Sequence, residues 1–257
     1  MDKLTIIKVG GKIVEEPASL QRLLDDFAAI DGPKVLVHGG GRSATKIAAQ
    51  LGIESQMVNG RRITDAPMLQ VVTMVYGGLV NKNIVAGLQA RNINAVGLTG
   101  ADMNVILSDK RPVKDIDYGF VGDVKQVDGK RLAALLNDGI IPVMAPLTHD
   151  GNGNMLNTNA DTIAAETAKG LAPYFDVTLI YCFEKKGVLR DENDDDSVIT
   201  EITPQQFKQL VEQGIIQGGM IPKLENAFQA INAGVKQVVI TSAVAIDGQG
   251  GTVIKNF

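Results

Sequence analysis

Short apolar runs alternate with longer amphipathic stretches along this chain. Leu4–Val9, Lys34–His38, Ala95–Leu98, Ile140–Met144, Val177–Tyr181 and Gln237–Ile240 are brief and rich in β-branched residues, as buried strands are. Between them the apolar period lengthens. Ala18–Ala29 carries Leu20, Leu23, Leu24 and Phe27 on one helical stripe, and Asn159–Leu171 aligns Ile163, Ala164, Thr167 and Ala168. Ser43–Leu51, Arg131–Asp138 and Ile221–Ala233 read as further helices. Thr203-Pro204-Gln205-Gln206 opens another, with Thr203 as cap, Pro204 in the first turn and Gln206 able to return the cap. Ala66–Ala90 reads as one long helix despite Gly77, Gly78 and Gly87. Those glycines cost helix propensity and permit close packing, including packing between subunits.

Turn signals complete the pattern. Asn59-Gly60 within Gln56–Thr64 and Asp150–Gly153 within Leu147–Leu156 predict hairpins, and Val105–Val127 reads as a β-ribbon. Gly250-Gly251-Thr252 leads into a final short strand. Strands alternating with helices predict an α/β fold: a three-layer α-β-α sandwich around a central, mostly parallel sheet. No linker-like tract interrupts it, so two lobes sharing one sheet fit better than two tethered domains. In such sheets ligands sit at the carboxyl ends of strands. Gly10-Gly11, Gly39–Gly41 and Thr99-Gly100 all fall there.

The stretch Val35-Leu36-Val37-His38-Gly39-Gly40-Gly41 is the hub: a strand, a glycine loop and a helix start. Together these make an anion site, because glycines allow close backbone approach and the helix N-terminus adds partial positive charge. Ile6-Ile7-Lys8-Val9-Gly10-Gly11 repeats the design with a lysine embedded in the strand end. A lysine there is costly unless it faces an anion. Gly218-Gly219-Met220-Ile221-Pro222-Lys223 places a second lysine just after a glycine pair. Asn157-Thr158-Asn159-Ala160-Asp161 sets a carboxylate at a helix start, where it serves either the helix or a site.

Composition narrows the chemistry. The 257 residues are 45% hydrophobic and 21% charged, an ordinary globular balance. A net charge of −4 argues against a general nucleic-acid binder, so positive field must be built locally. The single cysteine, Cys182, cannot pair within the chain and suits a reducing compartment, reading most simply as a small buried hydrophobe. No apolar run reaches ~18 residues and no signal peptide is evident, which predicts a cytoplasmic protein without a membrane partner. Neither G-x-x-x-x-G-K-[ST] nor G-x-G-x-x-G occurs. Two histidines, His38 and His149, and one cysteine argue against a His/Cys metal site. The run Asp191–Asp196 reads as a solvated loop rather than a metal site.

IIKVGG, VHGGGR, NGRRIT, LNTNAD and GGMIPK, in this order over nearly the whole chain, resemble the amino-acid kinase family, and most closely its acetylglutamate kinase branch. That resemblance implies a single amino-acid kinase domain, with residues 1–175 binding the acylglutamate and dimerising and residues 176–257 binding nucleotide. It implies transfer of the γ-phosphoryl of ATP to the side-chain carboxylate of an N-acylglutamate. Mg²⁺ would be carried by the nucleotide, and the partners would be small molecules and a second copy in a homodimer. Lys8 and Lys223 would bind the phosphoryl oxygens, with Asp161 orienting both by ion pairing. Gly10, Gly11 and Gly40 would supply N–H groups, and Gly39–Gly41 would embrace the acylglutamate. Arg62 would grip its α-carboxylate, and Asn157 would bind near it.

Glu184, Gly187 and Gly219 would belong to the nucleotide side. There the chain departs from the family's usual Ser-Asp-Val-x-Gly and reads Phe183-Glu184-Lys185-Lys186-Gly187, with Lys185 and Lys186 as candidate phosphate contacts. The short N-terminus, without the helix associated with arginine-sensitive hexamers, leads by resemblance to the expectation of a homodimer without strong arginine feedback. An acceptor carboxylate with a pKa near ~4.3 is already ionised, so no general base is required, which suits a chain poor in histidine. An acetyl arm needs a small apolar pocket; an acidic arm such as succinyl needs an added cation, for which Arg61, Arg42 and Lys12 are candidates. Other kinases of the family and a non-catalytic nucleotide-binding regulator of the same fold are the competing readings.

Overall fold

The computed structural model describes residues 1–58, 60–218, 220–246 and 250–256. Among them, eight strands form one sheet, in the order Glu201–Ile202, Thr252–Ile254, Gln237–Ser242, Asp176–Phe183, Lys3–Val9, Lys34–His38, Ile141–Met144 and Ala95–Leu98. Every neighbouring pair is parallel except Gln237–Ser242 with Thr252–Ile254. The first strand lies near the middle, with Lys8 level with Val37 on one side and Tyr181 on the other.

Alternation along that strand decides what meets what. Leu4 and Ile6 pack into one core with the helices Gly129–Asn137, Ala160–Leu171, Pro204–Glu212 and Met220–Asn232. Ile7 and Val9 pack into the other, beneath Pro17–Ala29, Gly41–Gln50 and Ala66–Gln89. Both sheet faces are therefore covered, which is why its strands are apolar throughout. With a side-chain period of two, Lys8 follows Leu4 and Ile6. It emerges on the face where Ala160–Leu171 and Met220–Asn232 begin.

A second sheet of four short strands joins Met155–Asn157, Leu147–His149, Ile106–Lys110 and Gly122–Val127. The hairpin Met57–Val58 with Arg61–Arg62 is antiparallel as expected, and Gly60 takes a φ of +72°; Asn59 lies outside the described residues. Bridges Thr64–Gly119 and Val121–Asn157 tie this region together. The full capping box at Thr203 is present.

Three expectations need correction. The long helix is not α-helical throughout: Thr73–Val80 is π-helical between α-helical ends. The wider turn keeps Val75, Tyr76 and Val80 buried, and it carries the Gly77-Gly78 pair. By length and composition alone, Ala66–Gln89 is also long and apolar enough to cross a membrane. Its buried residues Val71, Val72, Ile84 and Leu88 form part of the core beneath the sheet. Finally, the loop at Thr99-Gly100 is no third anion site. Its strand is at the sheet edge, and Asp102 Oδ2 accepts from the Thr99 N–H at 2.6 Å and from the Thr99 hydroxyl at 2.8 Å.

Candidate active site

Val9 pairs with both His38 and Cys182, so two glycine loops and the end of the Asp176–Phe183 strand leave the sheet side by side. A Cβ on Gly39 would stand 3.1 Å from the Gly11 nitrogen, and one on Gly11 3.3 Å from the Gly40 nitrogen. The two loops touch backbone to backbone, and side chains would push them apart. Gly41 opens a ten-residue helix whose first N–H groups have no acceptor within it. His38 braces the loop. Its Nδ1 lies 2.7 Å from the Gly39 carbonyl and its Nε2 3.1 Å from Asn81 Nδ2, which also donates to the Val143 carbonyl at 2.9 Å. The proton therefore sits on Nδ1 and Nε2 accepts. Burial lowers this imidazole to about 4, so it is a neutral support at ordinary pH.

Lys8 Nζ lies 2.6 Å from Asp161 Oδ1, with both side chains nearly buried. Asn159 caps the helix, accepting from the Asp161 N–H at 2.8 Å, and so fixes where that carboxylate starts. Lys223, in the first turn of Met220–Asn232, reaches the same spot. Among the described residues it makes no ion pair with Asp161 within 4.0 Å, so Asp161 pairs with Lys8 alone rather than with both lysines. The Lys223 ammonium rests 3.7 Å from the centre of the Phe183 ring, and Lys8 Nζ lies 5.3 Å from it. Burial holds the Lys223 pKa below its usual value, with Lys8 adding to the effect and Asp161 opposing it. Cys182, also fully buried, has its thiol pushed up to about 12 and is inert.

Two cavities meet at the glycine loops. The larger, of about 750 Å³, is lined by Lys8, Gly10, Gly11, Glu184, Gly187 and Lys223, and by the apolar side chains of Val188, Leu189, Ile215 and Ile216. The smaller, of about 180 Å³, is lined by Gly39, Gly40, Arg61, Arg62, Tyr76 and Asn157, with Met57, Val121 and Pro146 as its apolar wall. Gly41 lines both. Asn157 Nδ2 donates to Thr64 Oγ1 at 2.9 Å, which leaves its carbonyl oxygen for a ligand.

The nucleotide-side loop differs from expectation. Lys185 and Lys186 pair with Asp195 and Asp196 at 2.7 and 2.8 Å and are thus tied to their own loop. Glu184 faces Lys12 at 3.2 Å and Arg42 at 3.8 Å. Gly219 lies outside the described residues. Two site residues escape sequence reasoning: Tyr76, whose ring would stand 2.9 Å from a Cβ on Gly40, and Phe183. Both sit in apolar runs, where an aromatic reads as core. The one hint at Phe183 was its place in a strand end that departs from the family's usual pattern.

The chain belongs to the amino-acid kinase family, whose profile matches residues 3–242. Within it, acetylglutamate kinase of Phocaeicola vulgatus is 77% identical over 254 residues, covering 99% of both chains. Acetylglutamate kinase of Methanopyrus kandleri is 38% identical, over 98% of this chain and 100% of its own. The crystal structure of smu.665 from Streptococcus mutans UA159 superposes with a TM-score of 0.82 at 29% identity, covering 99% of both chains.

Proposed function

We propose that this protein transfers the γ-phosphoryl of ATP to the side-chain carboxylate of N-acetyl-L-glutamate, an arginine-biosynthetic step. One observation carries the reading: a cation-lined cavity with an apolar far wall and a small arginine-bearing cavity share Gly41 as a common wall. A nucleotide fits the first and a carboxylate substrate the second, so donor and acceptor meet at the glycine loops. Residues of the small cavity fall between Gly39 and Ala160, and most of the large one between Cys182 and Lys223. That division supports an acylglutamate lobe over 1–175 and a nucleotide lobe over 176–257.

The acceptor oxygen attacks phosphorus as the bond to ADP breaks, giving an acyl phosphate with no proton to move. The task is positioning two anions and stabilising charge. Lys8 and Lys223 bind the equatorial oxygens, Asp161 holds Lys8, and the glycine loops offer N–H groups. Arg62 takes the α-carboxylate and Asn157 binds beside it, while Met57, Val121 and Pro146 accommodate the acetyl arm. The nucleotide cavity is richer in cations than in free carboxylates, with Glu184 engaged by Lys12 and Arg42. That donor set fits Mg²⁺ carried on the nucleotide's own oxygens, where it offsets the β- and γ-phosphate charge.

A second reading, the same transfer on an acyl arm bearing its own carboxylate such as N-succinylglutamate, is favoured by Arg61. It lines the small cavity beside Arg62 as a second guanidinium. We further place the protein in the cytoplasm as a homodimer joined through Ala66–Gln89, where Met74 and Leu79 are more than half exposed. Hydroxylamine trapping of acyl phosphate with N-acetylglutamate, N-succinylglutamate, glutamate and aspartate in parallel tests the reaction. Hydroxamate from N-acetylglutamate supports the first reading, and from N-succinylglutamate alone the second. Product from neither refutes both.

A further inference from the structure

We propose that Phe183 is the positioning residue for Lys223: a neutral aromatic seat that holds one phosphoryl-binding ammonium beside the other without cancelling its charge. The proposal rests on the kinase reading above. Two lysines that converge on one phosphoryl repel each other while the site is empty. Asp161 answers this for Lys8, at 2.6 Å. Among the described residues Lys223 has no such partner, yet it is drawn into a half-buried place where an ammonium is costly.

The ring supplies what is missing. Lys223 Nζ stands 3.7 Å from its centre, well inside the range of a cation–π contact, and Lys8 Nζ stands 5.3 Å from the same centre. A ring face attracts a cation through its quadrupole and leaves the full charge available. A carboxylate in that place would hold Lys223 harder and neutralise the charge the transferring phosphoryl needs. The contact is weak enough to be exchanged for phosphate oxygens when the nucleotide arrives.

The seat is itself fixed. Phe183 stacks on Tyr181 with centres 6.1 Å apart and planes 9° apart, as residues two apart on one strand face can. Tyr181 donates from its hydroxyl to the Asp161 carbonyl at 3.2 Å. One face of one strand thus reaches all three charged groups: Tyr181 holds the backbone of Asp161, and Phe183 touches both lysines.

The test combines variants with ring electronics. Phe183→Leu lowers kcat roughly five- to tenfold while the ATP Kd stays within about twofold, and Phe183→Tyr retains most activity. Phenylalanines carrying one, two and three ring fluorines at position 183 keep the shape but drain the ring face, so kcat falls stepwise along the series. Full turnover in Phe183→Leu, or a flat fluorine series, overturns the proposal; should the leucine variant fail to fold, the series decides alone. Independently of turnover, the Lys223 ε-methylene protons show an upfield ring-current shift by NMR that vanishes in Phe183→Leu. A wild-type protein that forms no acyl phosphate refutes the kinase reading, and the NMR shift then decides the seat, its absence overturning it.

Discussion

Arg62 Nη2 donates to the carbonyl of Gly41 at 2.8 Å, which ties the arginine of the small cavity to the residue that walls both cavities. The same guanidinium donates to Thr45 Oγ1 at 2.9 Å and to Ser55 Oγ at 2.8 Å. All three acceptors are neutral, so the charge stays free for a ligand carboxylate while the side chain is already oriented. Lysine can keep the charge but not this fork of donors. Arg62→Lys therefore raises the KM for the acylglutamate about ten- to a hundredfold, with the KM for ATP within about twofold. An unchanged acylglutamate KM would show that Arg62 only braces the loop.

The Lys8–Asp161 pair predicts a different signature. Removing one member of a nearly buried ion pair leaves the other uncompensated and free to turn away. Lys8→Arg keeps the charge but moves it, and Asp161→Asn keeps the shape but loses the hold on Lys8. Each lowers kcat on the order of a hundredfold, with nucleotide binding within about threefold, as loss of a group acting on the transition state does. Turnover and equilibrium ATP binding, measured on the same preparations, check it; undiminished turnover in a variant would remove the residue it replaces from the mechanism.

Why these residues were legible in the sequence, and others not, follows from the range of the interactions. Lys8 was readable because it is a lysine embedded in an apolar strand end that glycines close, where an ammonium needs an anion. The apolar stripe of Asn159–Leu171 placed Asp161 at a helix start, where a carboxylate stood out. Arg62 and Asn157 came only through resemblance. Their meeting depends on the bridges Thr64–Gly119 and Val121–Asn157, which join distant segments with no local signature. The π-helical turn at Thr73–Val80 was hidden because its residues also satisfy an α-helical stripe. That Asp161 pairs with Lys8 rather than with Lys223 is a tertiary detail, and no spacing rule encodes that.

Glu184 reaches across from the end of its strand to Lys12 and Arg42, which lie beside the two glycine loops. All three side chains are more than half exposed, so these contacts add little stability. Their consequence is electrostatic: the carboxylate competes with nucleotide phosphates for two cations. Glu184→Gln accordingly lowers the KM for ATP about two- to threefold at low ionic strength, and the difference shrinks as salt rises. A raised KM would mean instead that Glu184 serves the nucleotide's metal.

The exposed face of Ala66–Gln89 presents Met74 at 55% and Leu79 at 51% exposure, with open space beside Gly78. Apolar side chains so exposed on a helix whose opposite face is core suit a twofold contact between copies, in which a residue meets its own counterpart's surroundings. Placing glutamates at both positions sets like charges against each other across that axis. Sedimentation equilibrium should then show the wild-type protein as a dimer and the Met74→Glu, Leu79→Glu double variant as a folded monomer. A double variant that remains dimeric places the interface elsewhere.

His38 makes the protein sensitive to mild acid. In the folded chain its imidazole is held neutral, at about 4, by burial, with the nearby Lys82 charge adding to the effect and the Gly39 carbonyl opposing it. An unfolded chain takes up the proton near ~6.5. The folded pKa is therefore the lower of the two, and the unfolded state binds more protons between them. Stability from this group is complete above about pH 6.5 and is lost as pH falls toward 4. The total loss is on the order of 3 kcal/mol, with nothing further from His38 below that. His38→Gln removes the titration but also disturbs the contacts to Gly39 and Asn81, so it is less stable at pH 7 and less dependent on pH. Urea midpoints of both proteins from pH 7 to pH 4.5 should converge as the pH drops. Parallel curves would mean that acid sensitivity in this range comes from other groups and that His38 is protonated in the folded chain as easily as in the unfolded one.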